Sequence, residues 1–509
     1  MKKIIFFIFA IIALALPSCV EENVSYDESL ELTFSCDTLL FDTLFAEQQS
    51  ATGRFMIYNR NKNALKITSI RMAEGKESYF RFNVDGYIAG KGDILENITI
   101  KGRDSLFVFV EMTPPTTDNE PYIVLFDSLI FECNNRIKDV KLMAVGSDAR
   151  LLRSAYISEN TTIDSLRPNL VFDYIYVAEG AKLTITEGAK LYMHGGANII
   201  VDGELECRGS FEHPIVIRGD RFDCINDVDQ TPYDQMPNQW GGIYLQNAQS
   251  HHIIENTHIR GAGIGILLVG ANRSEPILEL RNSVIHNSGA YGVYSQQGSL
   301  VVENSEISNC GESCIAQLGG TLRMAHVTVA NYYRYGSRKN ASVRILNYVM
   351  QNGMRLTFPV TSTVIENSII FGGNAEELEL GQDTTSSADY NVLITNTLIK
   401  GKKLETPNFV DCHWAKSQNI RNASDTVFVN TNIDNIAETG YFNFRLDSLS
   451  HARNLGSVSV STFYPLDLDG KDRNIDGKPD LGAYERVQMQ RVCSISNRSS
   501  NMLSEAKLR

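Results

Sequence analysis

The sequence lacks an excess of positive charge, and it lacks long hydrophobic runs beyond its first residues. Acidic residues outnumber basic ones by 60 to 47, which gives a formal net charge of −13. This charge disfavours nucleic acid or an anionic lipid surface as the main partner, because both attract a basic face. A hydrophobic content of 43% and a charged content of 21% argue against wholesale disorder. We therefore expect a folded protein that does not bind nucleic acid.

Familiar catalytic signatures are also missing. HExxH, GxSxG and Walker-type phosphate loops do not occur in the 509 residues. The sequence therefore favours a non-enzymatic protein, and an enzyme with unfamiliar catalytic residues is kept as an alternative.

The N-terminus carries an export signal. Lys2 and Lys3 precede an unbroken apolar run from residue 4 to residue 16, which is the charge pattern of a secretory signal. The run is too short for a membrane-spanning helix, which needs roughly 20 residues. Leu16-Pro17-Ser18-Cys19 resembles a bacterial lipobox, in which the cysteine is acylated and becomes the mature N-terminus. This resemblance implies a signal peptide over 1–18 and lipidation at Cys19, while a plain signal peptide cut elsewhere is the alternative.

Residues 19–27 are interpreted as a tether between the lipid and the folded part. Glu21 and Glu22 follow the cysteine closely, and acidic residues there resemble a surface-export signal of some Gram-negative bacteria. We expect a lipoprotein of the outer membrane, anchored through Cys19 and exposed at the cell surface. A periplasmic location, with the acidic stretch acting only as a flexible tether, remains open.

Eight further cysteines follow Cys19. An exported protein can form disulfides, and Cys36 with Cys133 is a candidate bridge between the two ends of the first domain. Free, partly buried cysteines are the favoured interpretation, and the sequence does not fix any connectivity.

Residues 28–148 are predicted to form an antiparallel β-sandwich. Short strands with partial apolar alternation are separated by turn residues, as this fold requires. Examples are Phe55-Met-Ile-Tyr58, Leu65-Lys-Ile-Thr68, Leu106-Phe-Val-Phe-Val110 and Val140-Lys-Leu-Met-Ala-Val145. The arrangement resembles the immunoglobulin-like modules that precede repeat domains in exported bacterial proteins.

Residues 155–485 are predicted to form a β-solenoid. A short pattern with a central asparagine recurs in Ile254-Glu-Asn-Thr-His-Ile259, Leu280-Arg-Asn-Ser-Val-Ile285, Val302-Glu-Asn-Ser-Glu-Ile307, Ile365-Glu-Asn-Ser-Ile-Ile370 and Ile394-Thr-Asn-Thr-Leu-Ile399. A degenerate copy, Met324-Ala-His-Val-Thr-Val329, has histidine at the same place. Steps of mostly 22 to 29 residues with apolar alternation indicate stacked β-coils. Asparagine tolerates left-handed backbone angles at a bend, and stacked asparagines can form a hydrogen-bonded ladder.

The ends of the repeat region resemble a known family. Val177-Ala-Glu-Gly-Ala-Lys-Leu183 and Gly196-Ala-Asn-Ile-Ile-Val201 look like first coils of right-handed β-helix repeat proteins. Gly477-Lys-Pro-Asp-Leu-Gly-Ala-Tyr-Glu485 matches the terminal D-I-G-A-Y-E motif of exported bacterial β-helix proteins, with Leu481 in place of isoleucine. The resemblance implies an all-β protein, with the immunoglobulin-like sandwich followed by a right-handed parallel β-helix, but no particular reaction. Residues 486–509 are predicted to be a polar tail.

An insertion between residues 220 and 234 is the first candidate site. Its carboxylates are the hard oxygen ligands that calcium needs, and nearby aromatic rings are suited to stacking on sugars. The candidate calcium ligands are Asp223, Asp227, Asp229 and Asp234, and the candidate sugar-stacking residues are Tyr233 and Trp240. A solvated acidic loop is the favoured interpretation, so calcium is the only cofactor considered and none is expected.

A run of aromatic and basic residues is the second candidate site. Tyrosine rings contact sugar faces, while guanidinium groups pair with the carboxylates of acidic sugars. The candidate ligand-binding residues are Tyr332, Tyr333 and Tyr335, and the candidate catalytic residues of a polysaccharide lyase are Arg334, Arg338, Lys339 and Tyr335. Packing of the tyrosines at the edge of the fold is the favoured interpretation.

The hypothesis that follows is a non-enzymatic, adhesin-like lipoprotein whose β-helix binds a polysaccharide or an envelope protein. A polysaccharide lyase or hydrolase acting on an acidic glycan is the first alternative. A purely structural component of the envelope is the second.

Overall fold

The computed structural model describes residues 23–116, 122–225, 231–271, 273, 275–415, 427–431 and 442–486. These residues are almost entirely strands and turns. Their helices are short: two 3-10 turns at Gly75–Glu77 and Tyr233–Gln235, and one α-helix, α1, at Val458–Ser461. Within the described ranges, no helix is long and apolar enough to cross a membrane.

The first part of the chain is a sandwich of two five-stranded sheets. Its strands are β1 (Thr33–Phe34), β2 (Thr38–Phe45), β3 (Gly53–Tyr58), β4 (Leu65–Met72), β5 (Phe80–Val84), β6 (Tyr87–Ala89), β7 (Ile94–Ile100), β8 (Ser105–Met112), β9 (Ile123–Cys133) and β10 (Arg136–Ser147). One sheet has the order β1-β3-β8-β5-β6 and the other the order β2-β10-β9-β4-β7. All pairs are antiparallel except β2 with β10.

The sandwich follows from strand alternation. On β10, Val140, Leu142 and Ala144 are fully buried while the residues between them face outwards, as expected for a sheet with one face on the core. Cys36 and Cys133 both carry free thiols, and the seven cysteines in the described ranges form no disulfide. The sandwich is therefore held by its apolar core rather than by the candidate bridge.

The second part is a parallel β-helix with three faces. Face 1 is a ten-stranded sheet. Its strands are β12 (Thr161–Ile163), β14 (Lys182–Thr186), β17 (Glu204–Arg208), β20 (His252–Glu255), β23 (Leu278–Arg281), β26 (Ser299–Glu303), β29 (Gly320–Ala325), β34 (Val360–Glu366), β37 (Tyr390–Thr395) and β39 (Phe409–Val410).

Faces 2 and 3 together form an eighteen-stranded sheet. Face 2 contains β15 (Lys190–Met193), β18 (Ile215–Gly219), β21 (Thr257–Arg260), β24 (Val284–Ser288), β27 (Glu306–Cys310), β30 (Thr328–Asn331), β35 (Ile369–Gly372), β38 (Leu398–Lys400) and β40 (His413–Ala415). Face 3 contains β11 (Arg150–Ile157), β13 (Asn169–Val177), β16 (Asn198–Val201), β19 (Trp240–Leu245), β22 (Ala262–Val269), β25 (Tyr291–Gln296), β28 (Ser313–Leu318), β31 (Val343–Leu346) and β36 (Leu378–Gly381). Two hairpins lie outside these faces, β32 (Tyr348–Gln351) with β33 (Met354–Thr357) and β41 (Phe428–Asn430) with β42 (Asn443–Leu446).

The bends between faces 1 and 2 are built by the recurring asparagines. All of these positions have left-handed backbone angles, with φ between 43° and 53°, at Asn256, Asn282, Asn304, His326, Asn367 and Asn396. The amide of Asn304 donates to the side-chain oxygen of Asn282 at 2.8 Å, and the amide of Asn367 donates to Nε2 of His326 at 3.0 Å. The repeat therefore sets both the bend and part of the predicted ladder.

Two packing contacts outside the coils matter for the site. Phe45 of the sandwich lies 5.1 Å from the ring of Tyr192 and 5.8 Å from that of Phe222, and these rings join the sandwich to the first coils. At the other end, residues 442–486, here called the C-terminal segment, run back over face 2. The Gly482 amide donates to the carbonyl of Asn367 at 2.8 Å, so the terminal motif lies on the outside of the coils.

Candidate functional site

A cleft of about 390 Å³ lies between face 2 and the C-terminal segment. Strand alternation on face 2 decides which side chains reach it. Ile259, Ile285 and Ile307 point into the core and are fully buried, so the residues before and after each of them point outwards. The lining consists of His258, Arg260, Val284, His286 and Glu306 from face 2, Asn256 and Asn282 from the bends, Ser210, Phe211 and Pro214 before β18, Asp234 and Gln235, and Phe442, Arg445, Leu468, Asp469 and Tyr484 from the C-terminal segment.

One end of the cleft carries a carboxylate shared by two arginines. Asp234 lies 3.4 Å from the guanidinium of Arg260 and 3.5 Å from that of Arg218. Its other oxygen, Oδ1, is buried and accepts no hydrogen bond from a described residue. Buried carboxylate oxygens normally have a donor, so this oxygen is an unsatisfied acceptor.

The middle of the cleft holds two neutral imidazoles. Burial lowers the pKa of His258 to about 4, with a smaller effect from Arg260. His258 makes no hydrogen bond to the described residues, so both ring nitrogens are available to a ligand. Burial also lowers the pKa of His286, to about 3, and its Nδ1 lies 2.6 Å from the hydroxyl of Ser308.

Glu306 forms the floor of the cleft beside these rings. It is buried, and this burial raises the pKa of its carboxyl. The hydroxyls of Tyr484 and Ser308 donate to it at 2.6 Å and 2.7 Å. Tyr484 belongs to the terminal motif, so this hydrogen bond ties that motif directly to the cleft.

The outer wall is held by an arginine fork. Arg445 donates to both oxygens of Asp469, at 2.6 Å and 2.5 Å, and its guanidinium lies 4.9 Å from the ring centroid of Tyr484. Lys471 adds a second cation 3.1 Å from Asp469. A bidentate ion pair fixes both the position and the orientation of the guanidinium group. Arg445 and Asp469 therefore form an ordered wall of the cleft.

Arg473 fixes the C-terminal segment to the repeat. It is fully buried, and it donates to Oδ1 of Asn304 at 2.5 Å and to the carbonyls of Gly482 and Ala483 at 3.2 Å and 3.0 Å. Burial lowers the pKa of Arg473 to about 10. Burial and the neighbouring Asp480 raise the pKa of Glu485 to about 8.

A second attachment uses the histidine copy of the repeat. Nε2 of His326 lies 2.8 Å from the hydroxyl of Ser461, and its Nδ1 lies 3.3 Å from the carbonyl of Gly482. The amide of Asn367 donates to the carbonyl of Ser457 at 3.0 Å. The repeat positions that bend the coils therefore also bind the C-terminal segment, a role that the sequence pattern did not indicate.

Three of the sequence-predicted site residues, the candidate ligand-binding residues Trp240 and Tyr332 and the candidate catalytic residue Arg338, take part in packing or ion pairing within the fold. Trp240 is only 2% exposed and belongs to the core of the β-helix, where its Nε1 donates to the carbonyl of Arg260. Tyr332 is partly buried and packs against a second core, with its ring 6.0 Å from that of Phe444. Arg338 forms a buried ion pair with Glu377 at 2.6 Å. The side chains of Trp240 and Arg338 are therefore enclosed by the fold, and that of Tyr332 is partly covered.

Four other predicted residues lie outside the cleft lining. Tyr333 and Tyr335 pack against each other with ring centroids 5.8 Å apart. The Arg334 guanidinium lies 5.3 Å from the centroid of the Tyr335 ring, and Lys339 is exposed. Burial raises the pKa of Tyr335.

Within the described residues, the aspartates of the insertion do not form a cluster. Asp223 is held by the guanidinium of Arg221, whose Nε donates at 2.9 Å, and the same guanidinium covers the ring of Tyr233 at 3.6 Å. Asp234 faces the two arginines of the cleft. Asp227 and Asp229 lie outside the described residues. Across the part of the chain that the structure describes, no group of three or more His, Cys, Asp or Glu side chains could hold a metal ion.

Sequence reasoning singled out Asp234 but missed the ionisable residues that face 2 contributes to the cleft. They occur two and four positions after the recurring asparagines, as in Asn256-Thr-His258-Ile-Arg260 and Asn304-Ser-Glu306. In other copies of the repeat, the residue two positions after the asparagine is apolar, such as Val284 after Asn282. At the position two residues after the asparagine, some copies of the repeat have an ionisable residue in place of an apolar one. This change is the feature of the sequence from which the cleft could have been predicted.

Comparison with known proteins agrees with the β-helix. A family described as right-handed beta helix region matches residues 122–333. Together with the sheets described above, this match confirms the predicted all-β fold, an immunoglobulin-like sandwich followed by a right-handed parallel β-helix. No curated protein matches the chain.

Three solved structures are similar to a quarter of the chain. They are a protein of unknown function from Porphyromonas gingivalis (14% identity, 26% of this chain and 60% of that one), the ASH / PapD-like domain of human CEP192 (7%, 26% and 95%) and a family 123 glycoside hydrolase from Clostridium perfringens (6%, 26% and 30%). Each likeness has a TM-score of 0.16, which is too low to bear on function.

Proposed function

We propose that this protein is a lipid-anchored component of a bacterial cell envelope that binds an acidic glycan in the cleft without cleaving it. One observation carries the proposal: guanidinium, imidazole and carboxylate groups converge in a cleft that also has Phe211 and Phe442 on its walls. Mixed donors and acceptors beside aromatic surfaces suit the hydroxyls and the apolar faces of a sugar.

Arg260 is the residue that favours an acidic sugar. Within the described residues, its guanidinium makes only the 3.4 Å contact with Asp234. Its side chain is 35% exposed. Its remaining N–H groups can therefore form a fork with a carboxylate on a ligand. The neutral ring of His258, two residues earlier on the same strand, supplies a donor or an acceptor for a hydroxyl.

Binding is favoured over hydrolysis because the carboxylates of the cleft are already engaged. Glu306 accepts from two hydroxyls and Asp469 from an arginine fork, while Asp234 lies between two arginines. A hydrolase needs one carboxyl to give a proton and another to act as base or nucleophile. These side chains instead form a fixed polar surface.

A lyase is the second candidate, and one observation favours it. Arg260 and the uncharged His258 lie on the same strand and both face the cleft. In β-elimination from a uronate, a cation neutralises the sugar carboxylate and a neutral base removes the adjacent proton. This pair would fill those two roles, in place of Arg334, Arg338, Lys339 and Tyr335.

One experiment separates these functions. The purified protein is screened against an acidic-glycan array, and ultraviolet absorbance follows any unsaturated product. We expect binding without product, and a loss of about tenfold or more in affinity in Arg260→Ala, since hydrogen bonds to charged groups contribute about 1.5–3 kcal/mol. Arg323→Ala, which changes an arginine on face 1 that is 47% exposed, is the matched control and should bind normally.

Each outcome of the screen has a definite meaning. Product that disappears in both His258→Ala and Arg260→Ala would establish the lyase. No binding to any acidic glycan, or equal binding by Arg260→Ala, would refute the cleft as the glycan site.

The envelope location rests on the N-terminal sequence. Lys2, Lys3, the apolar run and Leu16-Pro17-Ser18-Cys19 support export, lipidation and outer-membrane anchoring, and the acidic tether supports surface exposure. Mass spectrometry of the purified protein should find acyl chains on Cys19, and Cys19→Ala should release the protein from membranes. Protease added to intact cells should degrade the protein. Survival until the outer membrane is permeabilised would favour a periplasmic location.

A further inference from the structure

The chain enters the sandwich at one end and leaves it at the other. Val24 forms a parallel bridge with Ala64, just before β4, and the amide of Ser25 donates to the carbonyl of Ala64 at 2.9 Å. β10 starts at this same end and runs for 12 residues before the chain passes to β11 and the β-helix. At about 3.4 Å per residue, β10 separates the two ends by roughly 40 Å. The end that holds Ala64 is therefore the one farther from the β-helix.

Two loops at this end are braced against each other. They are residues 59–64, between β3 and β4, and residues 101–104, between β7 and β8, and we call them the entry loops. The side-chain amide of Asn59 is buried and donates to the carbonyl of Lys101 at 3.0 Å. The backbone amide of Arg103 donates to a carbonyl of the first loop at 2.9 Å. Because hydrogen bonds join the two loops directly, their side chains form one ordered surface.

The entry loops are rich in cations. Four of their side chains are basic and one is acidic, and all five are exposed: Arg60, Lys62, Lys101, Arg103 and Asp104. Two loops at the other end of the sandwich, residues 73–79 and 90–93, hold two cations and three carboxylates. The entry loops are therefore locally basic, although the whole chain has a net charge of −13.

An exposed tyrosine lies beside the entry loops. Tyr26 is 70% exposed and directly follows Ser25, whose amide is bound at Ala64. Tyrosine is enriched where a membrane meets water, because its ring is apolar and its hydroxyl is polar. The next two residues are acidic, but the carboxylates of Asp27 and Glu28 each accept a hydrogen bond at 2.8 Å from a neighbouring amide.

The predicted lipid anchor is close to this surface. Val24 follows Cys19 by five residues, and an extended chain spans at most about 3.6 Å per residue. An acylated Cys19 would therefore lie within about 18 Å of Val24. This distance is less than half the length of β10, so the entry loops are the part of the sandwich that the anchor brings to the membrane.

We propose that the entry loops and Tyr26 contact the anionic headgroups of the membrane leaflet that holds the lipid anchor. The inference rests on the anchor of the proposed function, and it adds the surface of the sandwich that faces the membrane. Basic side chains close to an anionic leaflet are attracted to its phosphate groups. The contact turns the other end of the sandwich, and with it the β-helix, away from the membrane.

The test measures lysine reactivity in the acylated protein on lipid vesicles. The vesicles contain phosphatidylcholine alone or with about 30% of the anionic phosphatidylglycerol, and mass spectrometry follows brief acetylation by an N-hydroxysuccinimide ester. On the anionic vesicles, acetylation of Lys62 and Lys101 should fall about fivefold, which corresponds to about 1 kcal/mol for each cation at the surface. Lys76 and Lys91, exposed lysines at the other end, should react equally on both. High salt should abolish the difference, because it screens exposed charges.

Two charge-reversal variants separate the entry loops from the overall charge. Lys62→Glu/Arg103→Glu reverses two of their cations and keeps Lys101 for the measurement, and its Lys101 should react equally on both kinds of vesicle. Lys76→Glu/Lys91→Glu makes the same change of charge at the other end and should keep the protection of Lys101. Both variants should retain the thermal unfolding midpoint of the wild type within a few degrees, because the changed side chains are exposed.

The outcomes distinguish this inference from the anchor on which it rests. Mass spectrometry of the same sample reports whether Cys19 carries acyl chains, and their absence would refute the anchor and the inference together. Acyl chains on Cys19 with equal reactivity of Lys62 and Lys101 on both kinds of vesicle would overturn the inference alone. Equal protection of the lysines at both ends would also overturn it, since the sandwich would then have no preferred face towards the membrane.

Discussion

Replacing Arg473 is expected to detach the C-terminal segment and to open the cleft. The side chain is fully buried and donates three hydrogen bonds, at 2.5 Å, 3.0 Å and 3.2 Å. The carboxyl groups of Asp467, Glu485 and Asp480 also interact electrostatically with its guanidinium. Arg473→Ala removes this cation and leaves those carboxyls without it.

The expected loss is about 3–5 kcal/mol, the usual effect of breaking a buried charge cluster from one side. Three charge-assisted hydrogen bonds at about 1.5–3 kcal/mol each would suggest more, but water entering the truncated site restores part of this energy. Because the bonds join the segment to Asn304 and to its own motif, the loss should appear as local unfolding of residues 442–486.

The assay is limited proteolysis combined with urea unfolding. In Arg473→Ala, cleavage within the C-terminal segment should precede loss of the β-helix, and glycan binding in the cleft should fall. Lys478→Ala, which changes an exposed cation five residues along the same segment, is the control and should change stability by less than about 0.5 kcal/mol. A loss below about 1 kcal/mol in Arg473→Ala, with unchanged proteolysis, would refute the assigned role.

Three further predictions follow from other buried groups. Arg338→Ala should destabilise by about 3–5 kcal/mol because it leaves Glu377 buried and unpaired, whereas Lys339→Ala should be nearly neutral; equal urea midpoints would contradict this. Burial lowers the pKa of His252 to about 4, below its usual 6.5. Its contribution to stability, about 3 kcal/mol, is therefore present above pH 6.5 and lost as pH falls to about 4. Unfolding free energies measured across this range should decline less in His252→Asn. Trp240→Ala should cost about 3–5 kcal/mol by leaving a cavity, and a surface-like effect below about 1 kcal/mol would argue against its burial.

The coils were predictable because their determinants are local. Asn256, Asn282 and Asn304 recur at nearly constant spacing with apolar residues on both sides, and the left-handed angle that each adopts is an intrinsic preference of asparagine. The strands of the sandwich were predictable for a similar reason, since alternation along each strand reflects its own burial.

The burial of Trp240 could not be read from alternation. Leu245 and Ile243 point inwards, so strict alternation would turn residue 240 outwards. The register of β19 with β22 shifts between Gly242 and Ile243. This irregularity reverses the alternation of inward-facing and outward-facing residues along the strand. The indole therefore enters the core, although its sequence position suggested a surface for sugar stacking.

The cleft could not be read from the sequence because its two walls are distant in the chain. Tyr484 bonds to Glu306 across 178 positions, and Arg473 bonds to Asn304 across 169. A repeat pattern records neighbouring coils, but it does not record which outward side chains a returning segment will cover. His258 and Glu306 become part of a cleft only because the C-terminal segment packs over them.

Photo-crosslinking can determine whether the cleft is a glycan site. An acidic oligosaccharide selected by the array, carrying a diazirine, is irradiated with the purified protein, and the labelled peptides are identified by mass spectrometry. We expect labelling of peptides that contain Phe211, His258 or Phe442, and loss of that labelling in Arg260→Ala but not in Arg323→Ala. Labelling confined to the sandwich or to face 1, unchanged in Arg260→Ala, would contradict it.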